Sequence, residues 1–155
     1  MKSFQLSKQE KKILSILRAD SRKGYKDIAK ATGVAISTVH NTIKRLVNAG
    51  VIKNFSVKLE SKKLGFDITV IVGVKVKHGS LEAVEKRLSN HPNVCQLFIV
   101  TGEFDLMLIA KFSDTDALND FIRNFIQGDT GTERTNTSLV LTTIKERLNP
   151  LLGFD

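Results

Sequence analysis

The stretch from Tyr25 to Asn54 constrains the fold of this sequence most, because it holds two helical patterns separated by a tight glycine turn. The first pattern covers residues 25–31 and ends at Gly33, and a longer one continues to Gly50. Gly33 suits the left-handed conformation that ends a helix, since it has no Cβ. Two helices joined in this way predict a helix-turn-helix, whose second helix enters a DNA major groove.

The second helix of this pair has an apolar side and a polar side. Its apolar residues follow helical spacing and predict the buried stripe, which comprises Val39, Ile43, Leu46 and Val47. Its outward side carries short polar groups first and cations later, with no acidic residue, whereas an ordinary solvated face more often carries Glu and Lys pairs. Short polar groups can approach base edges, and cations reach phosphates or guanine. The candidate DNA-binding residues are therefore Ser37, Thr38, His40, Asn41, Lys44, Arg45 and Asn48, with Lys26 in the preceding helix.

Two flanking segments complete the predicted DNA-binding domain. Ser7 and Glu10 have the spacing of a capping box and start a helix with an apolar stripe over residues 13–17. Residues 51–59 alternate and predict a strand, which is either a wing or a bridge to the next domain. The polar stretch that follows ends at Gly65. We therefore predict a DNA-binding domain over residues 1–60, including the linking strand, and a second domain over residues 61–155.

The charge distribution separates the same two parts. Residues 1–60 contain thirteen Lys and Arg against four Asp and Glu, a net charge of +9. Residues 61–155 contain eleven against twelve, a net charge of −1. A basic module joined to a near-neutral one is typical of a polyanion-binding domain with a partner domain, although a basic solvated surface would give the same count.

The second half alternates strand and helix patterns. Strands are predicted over residues 66–77, 94–101, 105–112 and 135–144, and the helices between them are capped by Ser80 and by Asp114 or Thr115. This β-α-β-β-α-β order predicts a ferredoxin-like antiparallel sheet with both helices on one face, and hence an α+β protein. Ile71 and other apolar residues fall on the opposite face, which predicts a two-fold homodimer that also supplies two recognition helices for two half-sites.

Signals for enzymatic, metal-binding and membrane functions are missing from the sequence. His40, His78 and His91 are scattered, and none has a second His or Cys at metal-ligand spacing. No phosphate-binding loop or nucleophile elbow occurs, so we predict no enzymatic activity and no cofactor. The longest apolar run, residues 68–74, is too short to span a bilayer. Cys95 is expected as a small core residue, and a single cysteine fits a reducing cytoplasm.

Several motifs together resemble the Lrp/AsnC family of prokaryotic transcription regulators, also called feast/famine regulators. They are the segments at residues 6–14, 28–33, 37–46, 50–52, 64–65 and 101–105, the last being Thr-Gly-Glu-Phe-Asp. The resemblance covers nearly the whole chain except its last six residues. It implies a cytoplasmic, nucleoid-associated regulator of double-stranded DNA whose dimers assemble further, often to octamers, and which responds to an amino acid or related metabolite.

The resemblance also assigns a small-molecule effector site to the predicted hairpin. By geometry alone the segment Gly-Glu-Phe-Asp favours a simple β-turn. The family's effector loop matches it, so the effector site is expected at Thr101, Gly102, Glu103, Phe104 and Asp105, with Thr135 and Thr137 lining the same cleft. Exposed amides of the turn would bind an effector carboxylate, and Asp105 its ammonium.

Two other functions are compatible with the sequence. One is a DNA-compacting architectural protein with little sequence preference. The other is a small-molecule enzyme or sensor that the basic N-terminal part tethers to DNA.

Overall fold

The computed structural model describes residues 5–146, which form two compact units. The N-terminal unit comprises residues 5–58 and the C-terminal unit residues 59–146. Over the described range, no helix is long and apolar enough to cross a membrane.

The N-terminal unit consists of three helices: α1 (Lys8–Ala19), α2 (Tyr25–Thr32) and α3 (Ile36–Asn48). The predicted capping box is confirmed, because Ser7 Oγ accepts from the Glu10 amide at 3.2 Å and Glu10 Oε2 accepts from the Ser7 amide at 2.9 Å. Gly33 ends α2 with a φ of 75°, so the predicted left-handed turn is confirmed as well. The tight turn brings α3 directly after α2, as a helix-turn-helix requires.

One apolar cluster holds the three helices together. Its buried residues come from every helix, namely Ile13, Leu17, Ile28, Ala29, Val39 and Ile43, and Val34 and Ile52 pack against them. Leu46 is fully buried too, which confirms most of the predicted stripe on α3. Val47 is the exception. Its side chain is 42% exposed, because it lies about 100° around the helix from Leu46, at the edge of the stripe.

The strand predicted over residues 51–59 is wrong. Residues 53–60 have no regular secondary structure, and Phe55, Val57 and Leu59 are exposed there. An alternating pattern forms a strand only where a second strand accepts its hydrogen bonds, and none of residues 5–146 supplies one. A short 3₁₀ helix follows at Ser61–Leu64 and ends at Gly65, whose φ is 83°.

The C-terminal unit has the predicted β-α-β-β-α-β order. Its elements are β1 (Ile68–Val76), α4 (Leu81–Ser89), β2 (Val94–Ile99), β3 (Leu106–Phe112), α5 (Thr115–Asp120) and β4 (Thr132–Leu139). The antiparallel sheet has the strand order β2-β3-β1-β4. The ferredoxin-like α+β fold predicted from the sequence is therefore confirmed.

The helices cover one side of this sheet, and the packing there is tight. Every second residue of β1 and β3 faces the helices; those of β3 and the middle three of β1 are buried, including Val70, Val72, Leu106 and Leu108, and the two at the ends of β1 are partly buried. The opposite side is partly apolar and less covered, with Ile71 38% and Phe98 50% exposed. These two positions belong to one side because Ile71 pairs with Ile109, and Phe98 with Met107 two residues away on β3.

Several strand and cap details differ from the sequence prediction. β4 begins at Thr132, three residues earlier than predicted, and ends at Leu139, five residues earlier than predicted. Cys95 is exposed rather than buried, because a register shift between Val94 and Gln96 leaves it outside the regular pairing. Ser80 precedes α4 as predicted, but its side chain makes no capping bond.

The second helix of the C-terminal unit changes from α-helical to π-helical winding part-way along its length. Asp114 caps it, accepting from the Ala117 amide at 2.8 Å, and α5 continues as a π-helix over Phe121–Gln127. The wider turn buries Phe121 and Ile126, which are five residues apart. Ile122 and Phe125 are partly buried and pack against the same core, so the apolar side of this segment faces the sheet although its winding is not α-helical.

Candidate DNA and effector sites

The eight candidate DNA-binding residues are all exposed. Seven lie on α3, and Lys26 lies in the first turn of α2. The first turn of α3 contains no acidic residue, so the partial positive charge of the helix start is not offset locally. The exposed side of α3 thus combines hydrogen-bonding groups with cations and can approach a polyanion.

Aromatic packing fixes His40 on this surface. Its ring meets the ring of Tyr25 edge-to-face, with 5.5 Å between centroids, and its Nδ1 lies 3.4 Å from Asn41 Oδ1. Tyr25 is 43% exposed at the start of α2. Tyr25 is not among the residues predicted from the sequence, although an aromatic residue next to Lys26 in a basic domain is a usable signal.

Arg45 contacts a buried carboxylate. Its Nη2 pairs with Oε1 of Glu10, whose side chain is only 7% exposed, while the Arg45 side chain is 54% exposed. The same carboxylate takes part in the capping box of α1 through its other oxygen. The sequence pattern predicts only the capping role of Glu10, since nothing in the linear order of residues indicates its contact with α3.

The predicted hairpin joins β2 to β3. Val100 N donates to Asp105 O at 3.0 Å, and Gly102 adopts a φ of 117° in the turn. The Phe104 side chain lies against Gly73 in β1, where no Cβ intervenes. A lone glycine inside a strand often marks such a close approach, so the sequence contained a signal for this contact.

Asp105 is held by two donors from β1. Its Oδ2 accepts from the Val76 amide and its Oδ1 from Lys75 Nζ, each at 2.9 Å. The hydrogen bond from Val76, followed by that from Lys75, lowers the pKa of Asp105 below its usual value. The carboxylate is therefore ionised at neutral pH. A groove of about 470 Å³ lies beside it, with Lys77, His78 and Glu133 in its lining.

Arg134 on β4 contacts two side chains of the hairpin, Glu103 and Phe104. Its Nη2 lies 3.1 Å from Glu103 Oε1, and its guanidinium carbon is 5.5 Å from the centroid of the Phe104 ring. Both charged side chains are more than half exposed. Arg134 is not among the predicted site residues, because the sequence pattern predicts the last strand to begin at Thr135, three residues after its start at Thr132.

The structure does not bring Thr135 and Thr137 together with Phe104. Thr135 pairs with Val74 and Thr137 with Val72, so both threonines share the side of the sheet that carries the helices. Phe104 lies over Gly73, on the other side. The residues of β4 on that other side are Arg134, Asn136 and Ser138.

No metal site forms in the part of the chain that the structure describes. There, no three His, Cys, Asp or Glu side chains are arranged to hold a metal ion.

Comparison with known families accounts for both units. The profile described as winged helix-turn-helix DNA-binding matches residues 6–53. The profile described as Lrp/AsnC ligand binding domain matches residues 69–150, more than half of the chain. The chain belongs to the Lrp/AsnC family. It is accordingly a helix-turn-helix transcriptional regulator with a ligand-binding domain.

Individual relatives agree with this Lrp/AsnC assignment. An uncharacterised HTH-type transcriptional regulator of Pyrococcus horikoshii is 40% identical over 149 residues, which cover 95% of this chain and all of that protein. The HTH-type transcriptional regulator FL11 of the same organism is 34% identical over 91% of this chain and 93% of its own. A transcriptional regulator of Neisseria meningitidis, solved in complex with L-Met, has the same fold, with a TM-score of 0.91 at 24% identity over 96% of this chain and 98% of its own.

Proposed function

We propose that this Lrp/AsnC regulator reads DNA with the exposed side of α3 and that an amino acid or related metabolite, bound at the hairpin, changes this binding. The DNA contacts would come from Ser37, Thr38, His40, Asn41, Lys44, Arg45 and Asn48, with Lys26 on the backbone. The observation that carries this proposal is the exposed polar side of α3, which has no acidic residue and lies in the unit that holds all of the chain's excess positive charge.

Selection of binding sites from a randomised duplex library tests the DNA-reading role. Asn41→Ala should relax the preference at one position of each half-site, because Asn discriminates bases through paired hydrogen bonds. Lys12→Ala on α1 is a control, since Lys12 is exposed but outside the proposed contact set. Selection that enriches no sequence would favour the architectural, DNA-compacting alternative.

The proposed effector is a zwitterion that spans the hairpin. Asp105 is ionised. Its Oδ1 accepts from Lys75 and its Oδ2 from the Val76 amide, and since a carboxylate oxygen can accept two hydrogen bonds, Asp105 can bind an ammonium as well. Arg134 is paired with Glu103 in an exposed position, where an ion pair contributes little. It can therefore exchange Glu103 for an effector carboxylate, alongside the turn amides near Gly102 and Glu103. The L-Met complex of the Neisseria meningitidis regulator supports the choice of an amino acid.

Thermal shift assays with the individual amino acids test the effector proposal. A binding amino acid should raise the melting temperature of the wild-type chain and fail to raise that of Asp105→Asn. Asp67→Asn is a charge-matched control, because Asp67 is exposed and outside the hairpin. An amino acid that shifts both variants equally binds elsewhere, and no shift with any of them would end the amino-acid proposal.

The working form proposed is a homodimer that assembles further, for example to an octamer. The partly exposed apolar side of the sheet around Ile71 and Phe98 supports burial against a second copy. Light scattering after gel filtration would measure the mass, and Phe98→Asp should lower it if this side is the interface. A monomeric mass for the wild-type chain would contradict the proposal.

The remaining predictions concern activity, cellular location and domain boundary. We propose that the protein is not an enzyme, carries no cofactor and works in the cytoplasm on the nucleoid. Its membership in a family of transcriptional regulators supports each of these statements. The division into domains 1–60 and 61–155 also stays a prediction. The separation of the two compact units after Lys58 supports it.

A further inference from the structure

We propose that Glu10 is a positioning residue of the DNA interface: through its buried carboxylate it fixes the guanidinium of Arg45 and so sets how well the protein distinguishes its target site from other DNA. The proposal concerns α1, a helix outside the helix-turn-helix proper. It assigns Glu10 a role in recognition beyond its cap.

The burial of Glu10 requires a reason other than capping. Among residues 5–146, Glu10 is the one charged residue that is buried, with 6% of its surface exposed. A capping box needs a single acceptor oxygen, which a neutral Gln supplies equally well. An ionised carboxylate is unfavourable in the interior unless a cation and hydrogen bonds compensate for its lost hydration.

The two oxygens of Glu10 have separate partners. Oε2 accepts from the amide and the hydroxyl of Ser7, each at 2.9 Å. Oε1 pairs with Nη2 of Arg45 on α3. The carboxylate plane is thus fixed from one side by the start of α1 and directs its other oxygen at the helix that carries the proposed DNA contacts.

Arg45 gains a defined direction from this pair. A guanidinium is a rigid planar fork, so fixing one nitrogen restricts the whole group. More than half of the side chain remains exposed next to the polar side of α3. Binding to DNA then orders fewer rotatable bonds than it would for a mobile arginine.

The Glu10–Arg45 pair affects the affinity for a target site and the affinity for random DNA differently. Random duplex attracts a cation wherever it lies, because that binding depends on charge and counterion release. A target site binds more tightly to a cation that is already in the required position. The negative charge of Glu10 also weakens the attraction of Arg45 for any polyanion. This weakening lowers both affinities, but the preset position of Arg45 compensates for it at the target site alone, so the ratio of target-site affinity to random-duplex affinity rises.

The test measures this ratio over a range of salt concentrations, using a site obtained by selection with the wild-type chain and a random duplex of equal length. Glu10→Gln keeps the acceptors of the capping box but removes the charge. We expect it to lower the ratio about tenfold, within the range of a lost specific contact, and to bind random duplex more tightly. Ser7→Ala is the matched control, since it removes the cap hydroxyl and leaves the Glu10–Arg45 pair.

Two further variants separate positioning from a structural effect. In the Arg45→Ala background, Glu10→Gln should leave the ratio unchanged. Arg45→Lys retains the charge and loses the planar fork, so it should lower the ratio without changing the salt slope. This variant tests the proposal even if Glu10→Gln folds poorly.

Three results would overturn the proposal. They are an equal loss of the ratio in Ser7→Ala and Glu10→Gln, a loss that persists without Arg45, or an unchanged ratio in Arg45→Lys. Failure of the wild-type selection would instead count against sequence-specific binding itself.

Discussion

The ring of Phe104 occupies the place where Gly73 has no side chain: a Cβ added to Gly73 would stand 2.7 Å from Phe104 Cδ2 and 2.8 Å from Cγ. Gly73 is buried in the middle of β1, and Phe104 belongs to the hairpin between β2 and β3. The contact therefore attaches the proposed effector hairpin to β1, one of the two inner strands of the sheet.

Gly73→Ala should destabilise the protein because the methyl group and the ring cannot share this space. Overpacking of this kind lowers the free energy of unfolding by about 1–3 kcal/mol. Denaturant unfolding measures the change. In a Phe104→Ala background the same substitution should be neutral or slightly stabilising, since the ring is gone and alanine restricts the unfolded chain. An equal loss in both backgrounds would show that Phe104 is not the obstacle.

Arg87 should be needed for the π-helix after α5. Its Nη1 donates to the Phe125 carbonyl, its Nη2 pairs with Asp129, and its guanidinium carbon lies 4.6 Å from the centroid of the Phe125 ring. Arg87→Met removes these polar contacts and should lower the free energy of unfolding by about 2 kcal/mol. Lys86→Met, at the exposed neighbouring position, should change it little. Similar losses in the two variants would contradict the role of Arg87.

Element order and the caps of α1 and α5 were predictable because they depend on local patterns. Periodicity identified the strands, and the spacing of Ser7 and Glu10 identified the start of α1. The contacts that shape the candidate sites are tertiary: Glu10 meets Arg45, and Gly73 meets Phe104, at separations of thirty residues or more. No local pattern encodes such pairs.

Misassigned segments have physical reasons as well. Residues 53–60 alternate as a strand does, but an alternating pattern does not specify the neighbour that must accept the hydrogen bonds. Phe121–Gln127 was predicted as α-helix but forms a π-helix. In so short a segment, apolar residues five apart, as in a π-helix, are also separated by the three- and four-residue steps of an α-helix, so the sequence pattern does not distinguish the two.

His91 should make the stability of the protein depend on pH. Its ring packs against Phe121 and Phe125, with centroids 4.7 Å and 4.3 Å away, and its Nδ1 accepts from the Asn93 amide at 3.2 Å. Burial lowers the pKa of His91 below its ordinary value of 6.5. The unfolded chain then binds more protons than the folded chain once the pH falls below that ordinary value. Stability should therefore fall as the pH drops from about 6.5 towards the depressed folded pKa.

Thermal unfolding of wild type and His91→Phe at a series of pH values would test this dependence. The variant keeps an aromatic ring and has no titrating group, so its melting temperature should vary less between about pH 5 and about pH 7. His78→Phe is the control, since His78 is exposed in the turn after β1. A wild-type stability that rises on acidification over this range would contradict the prediction.

Lys44 should contribute to DNA binding through its charge alone. It is exposed on α3, on the same side as Ser37 and Asn41. If it neutralises a phosphate, Lys44→Ala should lower the slope of log affinity against log salt by about 0.9 in magnitude and weaken target and random duplex alike. Lys12→Ala removes the same charge from α1, away from the proposed contacts, and should leave the slope unchanged. Equal slopes for wild type and Lys44→Ala would remove Lys44 from the phosphate contacts. A loss confined to the target duplex would instead indicate that Lys44 contacts a base, because a base contact discriminates between sequences and a phosphate contact does not.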